Sequence, residues 1–359
     1  MGVAEPVAWG VTLHTAELNG ITMRWADTAK TAADKAKPII LMMHGWPESW
    51  FSYRHQLKAV GATGFRGIAP DMRGYGGTSA PEHAADYTCH TLAADMIALL
   101  THLGASNCAL VGHDHGANTG WTLALLHPEV FCMYLAMSVP YNMRRAEATT
   151  PPIENFRKIF GDEREPESDP GFFYMLHHQL PEATQQYAEN ARSVLTLMYG
   201  DGSSTGSPEV TSDRMYVGGS ARGMWSRSPQ PRGLAPWISE AELDYVVAEF
   251  ERAGWNGGLN WYRVMDINWH ATPHLANAVV KQPSLFIAGT NDGVVKMSGG
   301  VDAIKASLAA SCAQGEEPVF VEGAGHWIQQ EAAALVNQKM LGFVEKHKGL
   351  LKTPSISKL

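Results

Sequence analysis

Cysteine is scarce in this 359-residue chain, and the four that occur, Cys89, Cys108, Cys132 and Cys312, form no C-x-x-C pair and no metal-ligand spacing. That argues against a disulfide framework or a zinc-type cluster and points to a reducing compartment. Cys108 and Cys132 fall in apolar runs, where cysteine is expected as a small buried hydrophobe. Long basic runs are absent and the net charge is -8, so nucleic acid is not expected as a partner. No apolar stretch reaches the length of a membrane span. The N-terminus shows no charged segment leading into an apolar one, so no signal peptide is expected. Internal repeats are not found. The remaining composition, 45% hydrophobic and 18% charged, suits a large globular domain with a sizeable insertion and a core that needs no staples.

The final tripeptide, Ser357-Lys358-Leu359, is one that import receptors read as a peroxisomal address. The expected location is therefore the peroxisomal matrix, with a cytosolic share, and the expected partner a peroxisomal import receptor. Residues 349–359 are expected to form a loose tail.

Segments 11–18 and 21–28 read as strands joined by Asn19-Gly20, a strong hairpin signal. The apolar run from Ile39 to Met43 fits a buried parallel strand, and segment 50–60 a helix. Phe65 to Pro70 reads as a strand, Thr91 to Leu103 as an amphipathic helix, and Val130 to Val139 as a strand. This βα alternation predicts a doubly wound, mostly parallel sheet covered by helices on both faces. After Pro140 it stops. Helical segments at 172–187 and 240–253, and a Gly-, Ser- and Pro-rich loop from Gly200 to Pro236, replace it until strand 284–289, helix 300–311, strand 318–321 and helix 331–346. The expected organisation is a core of residues 1–140 and 271–348 interrupted by a helical lid, 141–270.

Between an apolar strand and an alanine- and leucine-rich helix runs Gly112-His113-Asp114-His115-Gly116. A side chain flanked at two residues on each side by glycine matches a nucleophile elbow, a turn so tight that only small neighbours fit. Serine is the usual occupant. A carboxylate there can be alkylated by a substrate carbon, giving an ester that water must cleave. The plainer alternative is that Asp114 caps a helix.

Two later strand ends complete a pattern. Gly289-Thr290-Asn291-Asp292 follows one, and Glu322-Gly323-Ala324-Gly325-His326-Trp327 follows the other. The order nucleophile, acid, histidine is that of the α/β-hydrolase triad, with His326 as base and Asp292 holding its tautomer. Asp302 and Asp266 are fallback acids. An oxyanion hole is expected from the backbone N–H groups of Trp46 and His115, with Trp46–Pro47 a candidate cis bond.

The residues together resemble the soluble epoxide hydrolases of the α/β-hydrolase fold, without an added phosphatase domain. The resemblance spans roughly residues 11–346 and rests on His44-Gly45-Trp46-Pro47-Glu48-Ser49-Trp50, on the stretch 71–79, on the elbow and on Gly325-His326-Trp327. It implies two lid tyrosines that donate to the epoxide oxygen. Gly258-Leu259-Asn260-Trp261-Tyr262-Arg263 matches the segment bearing the second, so Tyr262 is one donor, and Phe173-Tyr174-Met175 resembles that bearing the first, so Tyr174 is the other. His44, Pro47, Trp261 and Trp327 are expected to line the substrate pocket. The implied reaction converts a lipophilic epoxide and water to a vicinal diol, with no metal or organic cofactor. One departure is His115, where the family commonly has tryptophan. Two alternatives stay open: a haloalkane or haloacid dehalogenase using the same Asp-His-Asp groups, and a binding protein that has kept the fold and lost turnover.

Overall fold

In the hairpin, β1 (Thr12–Leu18) and β2 (Ile21–Asp27) pair with Leu18 opposite Ile21. Asn19 and Gly20 both take positive φ, the geometry that a two-residue turn of this kind needs. The computed structural model describes residues 6–161, 172–200, 216–217 and 233–355. Its remaining strands are β3 (Ile39–Met43), β4 (Arg66–Pro70), β5 (Cys108–His113), β6 (Phe131–Met137), β7 (Phe172–Phe173), β8 (Tyr216–Val217), β9 (Val280–Gly289), β10 (Cys312–Gly315) and β11 (Val319–Val321).

The main sheet runs β1-β2-β4-β3-β5-β6-β9-β10, with β11 also on β9, while β7 and β8 form a separate small antiparallel pair. The β1–β2 and β2–β4 contacts are antiparallel and those from β4 through β3, β5 and β6 to β9 are parallel. Every residue of β3 and β5 is buried, as expected for central strands covered on both faces. After β3 the chain passes to β4 on one side, and it then returns to place β5 on the other. The strand order reverses between β3 and β5, so their carboxyl ends, His44 and His113, flank the crevice where such sheets bind ligands. β10 and β11 both lie along β9, pairing from Cys312–Val280 to Val321–Gly289. They form one edge interrupted at residues 316–318, where Pro318 supplies no N–H for a ladder.

Differences from the sequence reading are local. The single helix expected over 172–187 is instead β7, a one-turn helix Tyr174–His177 and a helix Ala183–Glu189. Pro181 falls in the break, where its ring and missing N–H prevent a continuous ladder. The last helix, Ala333–His347, lies where it was expected, but a one-turn helix Ile328–Glu331 precedes it. Helices Pro152–Phe160, Ala191–Tyr199, Asn256–Arg263 and Met265–Ala271 were not anticipated. Most of the loop expected between Gly200 and Pro236, including Trp225, lies outside the described residues, as do Ser357, Lys358 and Leu359.

The segment between β6 and β9 is bonded to the sheet side by side chains from both. Tyr199 Oη donates to Pro47 O at 2.6 Å, Trp327 Nε1 to Met198 O at 3.0 Å and Trp261 Nε1 to Arg73 O at 2.9 Å. Helix Glu240–Ala253 opens with a capping box in which Glu242 accepts from the Ser239 N–H. The same carboxylate accepts from buried Arg54 Nε at 2.8 Å. One residue thus starts the helix and ties it to the core.

Candidate active site

Asp114 has φ 51° and ψ −121° at the turn between β5 and helix His115–Leu126. This is a costly conformation for a non-glycine residue, and it persists because its surroundings dictate it. A Cβ on Gly112 would stand 2.6 Å from Gly116 O, and one on Gly116 would overlap the carbonyls of Met43 and His44. Gly112 therefore lets the turn fold tightly onto its own strand, and Gly116 lets the elbow press against the end of β3. Tyr134 Oη, donating to Ala117 O at 2.7 Å, holds the start of the helix from below.

The bend brings the Asp114 carboxylate to the loop after β3. Trp46 N–H donates to Asp114 Oδ1 at 2.9 Å, across a loop containing a cis Trp46–Pro47 bond. A Cβ on Gly45 would overlap Asp114, so glycine is required there too. His115 N–H occupies the first turn of its helix, where backbone donors have no carbonyl to meet and the dipole favours an anion.

On the other side, His326 Nε2 lies 3.3 Å from Asp114 Oδ2, and His326 Nδ1 lies 3.0 Å from both Asp292 oxygens. Asp292 also caps a short helix through Val294 N–H at 2.8 Å, which fixes its rotamer. Burial works against charge on Asp114, yet the hydrogen bond and charge of His326, with His113 and His115 nearby, hold its carboxyl well below the usual carboxylate range. Burial alone would likewise lower the His326 pKa, but Asp292 and Asp114 together raise it well above the ordinary histidine value. The resting arrangement is an imidazolium between two carboxylates. The fallback acids lie elsewhere: Asp266 accepts from Ile153 N–H at 2.8 Å, and Asp302 sits in the first turn of helix Gly300–Ser311.

Tyr174 and Tyr262 line the cavity of about 460 Å³ that holds Asp114. Their rings meet edge to face with centroids 5.8 Å apart. Burial first, and the nearby Asp114 charge second, push both phenols well above their ordinary pKa, so both hydroxyls are protonated. Neither makes a hydrogen bond to a described residue. They are free donors facing a carboxylate.

The sequence reading missed a supporting network. Glu48 is buried, and its carboxylate accepts from Gly45 N–H at 2.7 Å, Ser52 Oγ at 2.5 Å, Gln329 Nε2 at 2.8 Å and His113 Nδ1 at 2.8 Å. His113 Nε2 lies 2.8 Å from His326 O, and Ser138 Oγ donates to the same carbonyl at 2.7 Å. The network links the Trp46 loop to the backbone of the base. Its signal was present in sequence: an acid two residues after Trp46 and a histidine ending β5 are expensive to bury unless paired.

Three comparisons bear on this geometry. A family model described as the alpha/beta hydrolase fold matches residues 38–333. Epoxide hydrolase A of Mycobacterium tuberculosis is 37% identical over 93% of this chain and 97% of its own length. Epoxide hydrolase 3 of Siraitia grosvenorii is 32% identical over 94% and 98%. The crystal structure of epoxide hydrolase A from Mycobacterium thermoresistibile superposes with a TM-score of 0.83 at 35% identity, covering 96% of this chain and 99% of that one. The chain belongs to the epoxide hydrolase family of the α/β-hydrolase fold.

Within this epoxide hydrolase family member, the expected pocket residues take several places around the site. His44 is wholly buried, donating from Nδ1 to Gly45 O at 2.9 Å and accepting at Nε2 from Met72 N–H at 3.0 Å. It pins the loop and faces no cavity that holds Asp114. Pro47, Trp261 and Trp327, like the base His326, are not among the side chains lining that cavity. The Pro47 carbonyl and the two indole N–H groups are occupied in holding the insertion to the sheet, so these residues brace the site's walls. Trp261 does line a second, adjoining cavity. His178 packs its ring 4.4 Å from Tyr262 and 5.3 Å from Tyr174, with Nε2 2.9 Å from Tyr187 Oη. His115 sets its ring 4.6 Å from Tyr262, forming the floor where the family commonly has tryptophan.

Proposed function

We propose that the chain hydrolyses lipophilic epoxides to vicinal diols through an ester on Asp114. The observation that carries this is the pairing of two protonated phenols, Tyr174 and Tyr262, without hydrogen bonds to any described residue, in one cavity with an ionised Asp114. Asp114 Oδ2 attacks a ring carbon, the carbon–oxygen bond breaks, and the alkoxide takes a proton from a tyrosine. Ester formation also removes the Asp114 charge, one of the contributions that raise the His326 pKa. The histidine therefore releases its proton, which restores the tyrosine, and becomes a base as one is needed. It then takes a proton from water, whose oxygen adds to the ester carbonyl. Trp46 N–H, already on Oδ1, and His115 N–H stabilise the tetrahedral anion. Collapse releases the diol, with Asp114 ionised and His326 protonated again. The cycle closes without a metal.

The segment between β6 and β9 acts in this reading as a lid, since it supplies both phenols. Trp46 Nε1, buried without a partner among the described residues, is the feature that favours a halide leaving group instead, but the two phenols beside Asp114 favour an epoxide. The intact mass of His326→Gln after incubation with styrene oxide or a bromoalkane separates the readings. A gain equal to the whole epoxide, mapped to Asp114, is expected. An alkyl gain with bromide released, and none from the epoxide, would assign a dehalogenase.

A further inference from the structure

Three methionines, Met175, Met265 and Met297, line the cavity that holds Asp114. Among the described methionines Met297 alone is exposed, at 50%, while Met175 and Met265 are partly buried. A side chain that lines a cavity and also faces water stands at its mouth.

Met297 ends the short helix Gly293–Met297, which Asp292 caps through Val294 N–H at 2.8 Å. The acid beside His326 and the methionine at the mouth are thus the two ends of one element. Beyond it the chain turns through Gly299 and Gly300, both at positive φ, a conformation that glycine adopts without strain. It then enters helix Gly300–Ser311, whose Ile304 and Ser307 line the same cavity. With Val139, Phe156 and Val294 in its wall as well, the lining is largely apolar.

A thioether suits such a mouth, because its flexible, apolar chain yields to molecules of different shape. One added oxygen makes it a polar, chiral sulfoxide. Exposure decides which methionine a dissolved oxidant meets first, and here it selects Met297. The substrate class brings that oxidant with it: epoxide rings arise by oxygen transfer to alkenes, under conditions that also generate hydroperoxides.

We propose that Met297 is an oxidation site that sets how readily lipophilic epoxides enter the cavity. A hydroperoxide delivers one oxygen to Met297 Sδ as its O–O bond breaks, and its remaining half leaves as water or an alcohol. The sulfur is oxidised by two electrons and the peroxide reduced by two. The sulfoxide places a polar group in an apolar mouth, and methionine sulfoxide reductase with a thiol reverses the change. The effect on turnover rests on the epoxide hydrolase reading; the site of oxidation does not.

The test treats the full chain with limiting hydrogen peroxide and maps the added oxygen by peptide mass spectrometry. Met297 is expected to be oxidised before the other described methionines. The kcat/KM for trans-stilbene oxide should then fall by roughly tenfold, the cost of setting an apolar group against a polar one, while that for the smaller propylene oxide changes by less than about twofold. Met297→Leu, whatever its starting activity, should lose none of it under the same treatment, and the reductase should restore the oxidised wild type. Oxidation falling first on another described methionine, an oxidised Met297 with both kcat/KM values unchanged, or an equal loss in Met297→Leu would overturn the proposal. Binding of trans-stilbene, read by tryptophan fluorescence, needs no turnover. If neither epoxide is hydrolysed before oxidation, the reaction reading fails, and the mouth is judged on this binding alone. Weaker binding after oxidation in wild type but not in Met297→Leu upholds the site, and unchanged binding removes it.

Discussion

Replacing Asp292 by Asn removes one negative charge and little else. Asn is as good a helix cap as Asp, so the Val294 N–H keeps its acceptor and the fold should persist. The imidazole, however, loses a carboxylate at 3.0 Å. At an effective dielectric of about 20, a unit charge at that distance is worth about 5 kcal/mol to an imidazolium. Solvent reaching the cavity reduces this to about 3–5 kcal/mol, or roughly 10²–10⁴ in rate, for a step that develops positive charge on His326. Ring opening develops no such charge, since Asp114 attacks and the phenols protonate. The expected result is therefore unequal: ester formation within about tenfold of wild type, and ester hydrolysis slowed by roughly 10²–10⁴. Rapid-quench sampling with intact-mass detection should show the ester building up in Asp292→Asn and passing only slowly to diol. If ring opening slows as much as hydrolysis and no ester accumulates, Asp292 does not act through the base, and the role given to it is wrong.

Removing one phenol by Tyr174→Phe or Tyr262→Phe should slow single-turnover ester formation by roughly 10–100-fold, the loss of one hydrogen bond to a developing anion. The double variant should lose roughly 10²–10⁴ by the same reckoning. Ester formation unaffected in the double variant would remove both residues from the reaction. Acid stability offers a separate check. Burial, with Arg54 beside it, lowers the His55 pKa from 6.5 to about 4, so the native ring is neutral while the unfolded chain takes up a proton from about pH 6.5 downward. Its contribution is complete above about pH 6.5 and declines as the pH falls towards about 4. Because the ring is partly exposed, solvent cuts the full shift to about 1–2 kcal/mol. Denaturant titrations at neutral and acidic pH should show a smaller acid loss in His55→Gln than in wild type, and an equal loss in both would refute the assignment.

The core was legible because it repeats a simple physical signal. A five-residue apolar run such as Ile39–Met43 has few ways to hide its side chains, and six of the strand readings agree with the structure to within a residue or two at each end. The insertion carries no such signal. Tyr174–His177 is a single turn followed by Pro181, and its place is set by Phe156, Phe160 and Phe173 packing around it, contacts that no periodicity reports. The edge strand Cys312–Gly315 was missed for a related reason: three of its four residues are exposed, so it lacks the apolar content that marks a buried strand.

The site divides along the same line. Residues whose chemistry demands a particular backbone were readable, since Asp114 needs small neighbours and Gly112, Gly116 and Gly45 are visible as letters. Residues that act by filling space were not. His44 and Trp327 stand beside motif positions and were read as pocket walls, and the structure gives each a bracing bond as well. The His44 ring is occupied by Gly45 O and Met72 N–H, and the Trp327 indole by Met198 O. Conversely, Glu48 and His113 looked like flanking letters and prove to join the Trp46 loop to the His326 backbone. A buried acid and a buried histidine must each find a partner, and here the partners are each other. Their pairing places the donor of Trp46 and the ring of His326 on opposite sides of one carboxylate, a relation that two separate motifs cannot express.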